Sequence, residues 1–273
     1  MTVNTNTDAL HTQQALTMNN RRLTKAIEQL STGSRINSAG DDAAGLAISS
    51  QMTTQIRGLN QAVRNANDGI SMLQTADGAA QTLTDMLIRM RELAVQSANG
   101  SNSGDERAAL NSEFGELKKE LNNITQNTTW NGRGILDGSV ATVKFQVGAG
   151  DQQAITTAFK NFSTSVIGLH VTSSMEILSA SSATTAMGAI TQAITAVDQA
   201  RSQFGAKMNR LTYAADNAAN AALQQSASRS RVLDADYAKV TSEMARAQII
   251  EQAGTAMLSQ ANQMPRLVLA LLR

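Results

Sequence analysis

From Met52 onward, apolar side chains recur at alternating steps of four and three: Ile56, Leu59, Val63, Ala66, Ile70, Leu73 and, past the polar Asp77, Ala80, Leu83, Leu87, Met90 and Ala94. A repeat of about 3.5 residues lays these groups along one stripe of an α-helix and leaves the polar residues on the remaining surface. The spacing predicts a single helix over about Gly45 to Asn99. A second seam runs Leu110, Phe114, Leu117, Leu121, Ile124, and a third runs Ile190, Ile194, Val197, Phe204, Met208, Leu211, Ala215, Ala218, Ala222. Packed stripe to stripe, the three segments predict an antiparallel bundle. Two further amphipathic stretches lie at opposite ends of the chain. The weaker takes Leu16, Leu23, Ile27 and Leu30; the other follows Leu233, Tyr237, Val240, Met244, Ala247, Ile250, Met257, Ala261, Met264, Val268 and Leu271.

Turn-forming residues gather where these seams stop. "SANGSNSGDER", Ser97 to Arg107, reads as a helix-to-helix loop, and "NGRGILDGS", Asn131 to Ser139, opens a non-helical stretch. Beyond it Val143, Phe145 and Val147 alternate with polar residues before "GAGD", and Ile155, Thr157 and Phe159 alternate after it, which predicts a β-hairpin. "SASSATTAMG", Ser179 to Gly188, is small and polar and reads as a surface connection. The fold expected is mainly α, a long antiparallel helical rod with terminal coiled-coil helices and a small β-hairpin. Its expected parts are an N-terminal helix over 1–42, a rod with the hairpin over 43–180, a returning rod helix over 181–231 and a C-terminal helix over 232–273.

Composition sharpens this picture. The chain of 273 residues is 42% hydrophobic but only 3% aromatic, so its core is built from Ala, Leu, Ile, Val and Met. Its one proline, Pro265, leaves long helices uninterrupted. A helix over Gly45 to Asn99 would be roughly 80 Å long, whereas a compact globule of this size has a radius of gyration of about 18–19 Å. Such a helix does not fit inside a sphere. The ending "QMPRLVLALLR" crowds Leu267, Val268, Leu269, Leu271 and Leu272 into a terminus, where small polar residues are usual. Apolar surface of this kind predicts lateral association with copies of the same chain.

Charge and candidate chemistry mostly exclude. A net charge of +1 with 16% charged residues gives no electrostatic reason to expect nucleic acid or an anionic membrane as partner. No stretch of ~18 apolar residues is present to span a bilayer, and "MTVNTNTDALHTQQ" lacks the basic and apolar regions of a cleavable secretory signal. Without Cys there is neither disulfide nor thiolate metal site. His11 and His170 are the only histidines, so no HExxH and no His-based triad can be assembled. The glycines of "QVGAGD" suit a hairpin turn and not a phosphate cradle, since no Lys-Ser or Lys-Thr follows. Asp41 and Asp42 resemble a carboxylate pair, but their expected role is to cap the long helix, with Gly40 and Gly45 forming a hinge. Tyr237 and Met244 are expected in the core. No catalytic, cofactor-binding or metal residue is assigned.

Three stretches carry a family resemblance: "LSTGSRINSAGDDAAGLAISSQMTTQIRGLNQAVRNANDGISMLQTADGA", "MRELAVQSANGSNS" and "DADYAKVTSEMARAQIIEQAGTAMLSQANQMPRLVLALLR". They resemble the two halves of bacterial flagellin, in a short form with no room for large outer domains between about Ser163 and Thr185. The resemblance implies a secreted, extracellular subunit of the flagellar filament that serves swimming motility. It implies terminal helices paired in an inner core, and export unfolded with the flagellar export apparatus and an export chaperone. Filament cap and hook-associated proteins are the further partners implied. A hook–filament junction protein is the alternative, but it would be expected to match poorly through "NANDGISMLQTADGA", where this chain matches well.

Two residue sets follow as candidates. Leu23, Ile27, Leu30, Met257, Leu267, Val268 and Leu271 are expected to form the polymerisation core, uncovered in a lone chain and buried between copies. Arg89, Leu93 and Glu113, in "RMREL" and "NSEF", match the patch that a host Toll-like receptor senses in similar flagellins. Their bland reading is as rod-surface positions, with Leu93 at the edge of the first seam and the charges solvated.

Overall fold

The structure is a computed structural model that describes residues 5–163, 171–172 and 174–271, with side chains described as far as Met264. It is mainly α. Helices α1 (Thr7–Thr32), α2 (Ala43–Ala98), α3 (Gly104–Asn127), α4 (Ala180–Leu233) and α5 (Tyr237–Leu271) are joined by the short strands β1 (Thr129–Trp130), β2 (Arg133–Gly134), β3 (Thr142–Gln146) and β4 (Ala154–Ala158). Two compact units result: Arg57–Ala222, and Met1–Ile56 together with Leu223–Arg273.

The first unit is built on the predicted seams. Leu73, Leu83, Leu87 and Met90 of α2, Phe114 and Leu121 of α3, and Ile190, Val197, Phe204 and Leu211 of α4 share one fully buried core. The hairpin pairs Val143 with Thr157 and Phe145 with Ile155, as the alternation predicts. It adds Phe145, Ile155 and Phe159 to that core, where the Phe159 and Phe204 rings lie 5.6 Å apart. Between α2 and α3 the loop closes with a capping box: the Ser103 N–H donates to Glu106 Oε2 at 2.7 Å, and the Glu106 N–H donates to Ser103 Oγ at 3.3 Å. An Arg201–Asp77 ion pair at 3.0 Å ties α4 to α2.

Two sequence readings are overturned and one element is added. The stretch from Ser179 to Gly188 is no surface connection, because α4 begins at Ala180. The Ser182 N–H donates to Ser179 Oγ at 3.1 Å, starting the helix, and buried Ala183 and Ala186 extend the third seam backwards. A second small β pair, Thr129–Trp130 with Arg133–Gly134, encloses the two-residue turn Asn131–Gly132. Finally, Gly45 does not loosen a hinge: it is buried, and a Cβ there would lie 2.6 Å from both Ile36 Cδ1 and Asp42 Oδ2.

In the second unit α1 and α5 run antiparallel. Asn6 Nδ2 donates to the Ala261 carbonyl at 2.8 Å, Asn19 Nδ2 to the Ala247 carbonyl at 2.7 Å, and the Tyr237 hydroxyl to the Leu30 carbonyl at 2.8 Å. The inward side of α1 carries Leu16, Asn19, Leu23, Ala26 and Leu30; that of α5 carries Val240, Met244, Ala247, Gly254, Leu258 and Ala261. Both sets step by threes and fours or their multiples, as a two-helix seam requires. A Cβ on Gly254 would sit 2.6 Å from Leu16 Cδ2, so glycine admits the leucine. The terminal helices therefore cover one another along one face, contrary to the expectation that a lone chain leaves them uncovered. Tyr237 is exposed and not a core residue; it is held by its hydroxyl.

Along the helix surfaces, threonine hydroxyls turn back on their own backbone. Those of Thr54, Thr75, Thr191, Thr195 and Thr212 each donate to the carbonyl four residues earlier.

Candidate assembly surfaces

Helix α5 has two apolar stripes. The inward one faces α1 and includes the small groups Ala247, Gly254 and Ala261 among larger ones; at Gly254 the missing side chain admits Leu16. The second lies roughly 100° around the helix and consists of Ile249, Ile250, Met257 and Met264, all exposed. Met257, at 65% exposure, is therefore free to meet another surface. On α1, Leu23 and Leu30 are half-buried in the seam with α5, while Ile27 flanks it at 50% exposure. Leu10 and Met18 are exposed as well, at separate angles. The side chains of Leu267, Val268 and Leu271 lie outside the described residues, as does His170. Sequence reasoning missed Ile249, Leu10 and Met18; it also placed Ile250 and Met257 on the same seam as Val240 and Ala247.

The α1–α5 unit also contains a cleft of about 740 Å³. Its walls carry Arg22, Lys25, Arg35, Arg231, Lys239 and Arg246 against Asp234, Asp236 and Glu243. A wall so charged differs from the mostly apolar enclosure that grips a small organic ligand. Beyond α1, the Asp41 carboxylate accepts from Lys25 Nζ at 2.7 Å, the Ser38 N–H at 3.0 Å and the Asn37 N–H at 3.2 Å. The Lys25 contact first, then these backbone donors, hold its pKa far below the ordinary carboxylate value. Asp42 performs the capping expected of the pair, its Oδ1 accepting from the Gly45 N–H at 2.8 Å. Among the described residues no group of three His, Cys, Asp or Glu is placed to hold a metal ion, and no helix is long and apolar enough to cross a membrane.

On the other unit, Arg89 directs Nε and Nη2 to one oxygen of Glu113, at 2.9 and 2.8 Å, and Nη1 to Glu92 at 3.2 Å. The Glu113 and Glu92 contacts raise the Arg89 pKa. All three side chains are about half exposed. Leu93 is 1% exposed and belongs to the core, not to the exposed group.

Comparison with known proteins gives two family matches. Residues 3–141 match the family model for the bacterial flagellin N-terminal helical region, and residues 187–272 match that for the C-terminal helical region. The chain is 44% identical over 273 residues to a flagellin of Halalkalibacterium halodurans, covering all of both. It is 38% identical over 286 residues to the flagellar filament 33 kDa core protein of Treponema phagedenis, again covering all of both. A crystal structure of Bacillus cereus flagellin aligns with 57% of this chain and 88% of its own, at 29% identity and a TM-score of 0.49. The chain belongs to the bacterial flagellins, the structural subunits that polymerise into the flagellar filament.

Proposed function

We propose that copies of this chain join chiefly through the outward stripe of α5, with Ile27 of α1 and the apolar tail that includes Leu267, Val268 and Leu271 extending the contact. The carrying observation is that Ile249, Ile250, Met257 and Met264 form an apolar stripe that α1 does not cover. Burying one such side chain yields ~1.5–3 kcal/mol, so a few of them offset the entropy of ordering helix ends that would otherwise fray. Contacts between unlike surfaces repeat without closing, which gives a fibre. Assembly on these terms needs no chemical step. Leu23 and Leu30 belong to the same core indirectly, by holding α1 against α5.

Within the polymer, 1–42 and 232–273 are assigned to the inner core, and 43–180 with 181–231 to the surrounding rod. Membership of the flagellin family supports the remaining assignments: secretion to the extracellular face of the cell through the flagellar export apparatus, an export chaperone, and contact with the filament cap and hook-associated proteins. The exposed Arg89–Glu113 pair favours a second role, recognition by a host Toll-like receptor. In that role Leu93 would position the charges from beneath.

Seeded elongation tests the first reading. Ile250→Asp combined with Met257→Asp, or deletion of residues 267–273, is expected to stop growth on short filament seeds while circular dichroism stays unchanged. Normal growth by both variants would overturn it. For the receptor, reversing the charge of Arg89 or Glu113 is expected to lower signalling in receptor-bearing cells; unchanged dose-response curves for both would remove that role.

A further inference from the structure

We infer that the Asn99–Gly100 peptide is a site of spontaneous deamidation, while the second Asn–Gly pair of the sequence, Asn131–Gly132, is protected by its fold. A glycine after asparagine presents a backbone nitrogen with no neighbouring Cβ to shield it. That nitrogen, on losing its proton, attacks Asn99 Cγ. The new C–N bond forms as the Cγ–Nδ2 bond breaks, the side-chain nitrogen leaves as ammonia, and a five-membered succinimide results. Water then opens either ring carbonyl, leaving aspartate or isoaspartate, with no oxidant or reductant consumed.

The surroundings of Asn99 favour the attack. Asn99 lies just past the end of α2 and is exposed, as is Gly100. The Asn99 Oδ1 accepts from the Ser101 N–H at 3.4 Å. A side chain bonded to the amide two residues on is folded across the intervening peptide, which brings its carbonyl carbon towards the Gly100 nitrogen. The same bond polarises the carbonyl under attack. Among the described residues no hydrogen bond engages the Gly100 N–H, and nothing lies within 4 Å of the position a Cβ would take there.

At Asn131 the backbone opposes the reaction. Asn131 and Gly132 hold φ of 49° and 74° as the two-residue turn between Trp130 and Arg133, which pair across the ladder. To bring its side chain onto the Gly132 nitrogen, Asn131 must rotate out of the left-handed turn conformation and unpair β1 from β2.

Conversion at Asn99 adds a negative charge at the C-terminal end of α2, where the helix dipole disfavours it. The Arg107 Nη2, which donates to the Asn99 carbonyl at 2.8 Å, stands close enough to answer that charge. Isoaspartate would also lengthen the backbone of the loop that the Ser103–Glu106 box closes.

The test incubates the whole folded chain at mildly alkaline pH and follows both sites by peptide mapping with ammonia release, beside a sample in urea. Asn99 is expected to convert about tenfold faster than Asn131 when folded, with the two rates converging in urea. Gly100→Ala, for which there is room, is expected to slow conversion at Asn99 and leave Asn131 unchanged. Equal folded rates, faster conversion at Asn131, or no conversion at Asn99 while the urea sample reacts would each overturn the inference.

Discussion

The unit Arg57–Ala222 and the unit formed by the chain ends are both built from long helices, yet they divide their apolar residues differently. In the first, the largest apolar groups point inward: Phe114, Phe204, Leu83 and Leu87 are all fully buried. In the second, the inward seam mixes larger groups such as Leu16, Leu23 and Leu258 with small or polar ones, Ala26, Asn19, Ala247 and Gly254, while Ile249, Ile250 and Met257 face outward. A helix whose intrachain seam admits small residues can carry a second, outward stripe of large ones. On the proposed assembly, the first unit buries its largest groups within itself and the second is completed by other copies.

Core truncation should expose this contrast most strongly. Phe114→Ala is expected to cost ~3–5 kcal/mol in urea unfolding, because a fully buried ring leaves a cavity. Leu16→Ala, at a half-buried seam position, is expected to cost clearly less; equal losses would break the distinction. A middle-sized effect is expected at Asn19. Removing its bond to the Ala247 carbonyl by Asn19→Ala should cost ~0.5–1.5 kcal/mol, read as faster amide exchange in α1 and α5 with α2 unaffected between Leu73 and Leu87.

The smallest effect concerns acid. Asp41 has its folded pKa depressed below the ordinary value of 3.8. Its contribution is therefore fully present above that value and is lost as pH falls through the depressed one. Acid titration below about pH 3.8 is expected to speed amide exchange at Asn37 and Ser38, which donate to its carboxylate. Asp41→Asn should abolish that acid response; persistence of the response would locate it elsewhere.

The same contrast explains how far the sequence could be read. In α2 and α3, and in α4 from Ile190 onward, the apolar residues that recur every 3.5 positions are mostly inward ones, although Ile88 and Val95 of α2 and Tyr213 and Leu223 of α4 lie exposed off that stripe, so the pattern located the helices and their buried stripe. In α5 two apolar stripes lie on one helix, and the larger side chains drew the seam to Ile250 and Met257. The residues facing α1 were Gly254 and Leu258, and no hydropathy rule selects a glycine. The start of α4 was hidden for a related reason, since Ala183 and Ala186 pack as well as any leucine where helices lie close but carry little weight as a signal. Their spacing to Ile190 and the serine at 179 were the available clues. Leu93 was placed at the seam's edge as a rod-surface position, whereas it is buried; nor did the sequence show the way Arg89 clasps Glu113 across two helices.

The threonines that turn back on their own helices have a consequence for water. A hydroxyl that already donates to the carbonyl four residues earlier has its hydrogen spoken for within its own chain. When such a surface is pressed against another, desolvating it strands no donor, and the penalty that normally guards a polar face against being dried is largely absent. Thr54, Thr191, Thr195 and Thr212 thus give the helices a skin that remains wettable in a single subunit. The same skin can be dehydrated in a polymer without demanding any particular partner, so neighbouring helices can shift along one another without breaking bonds that specify one register.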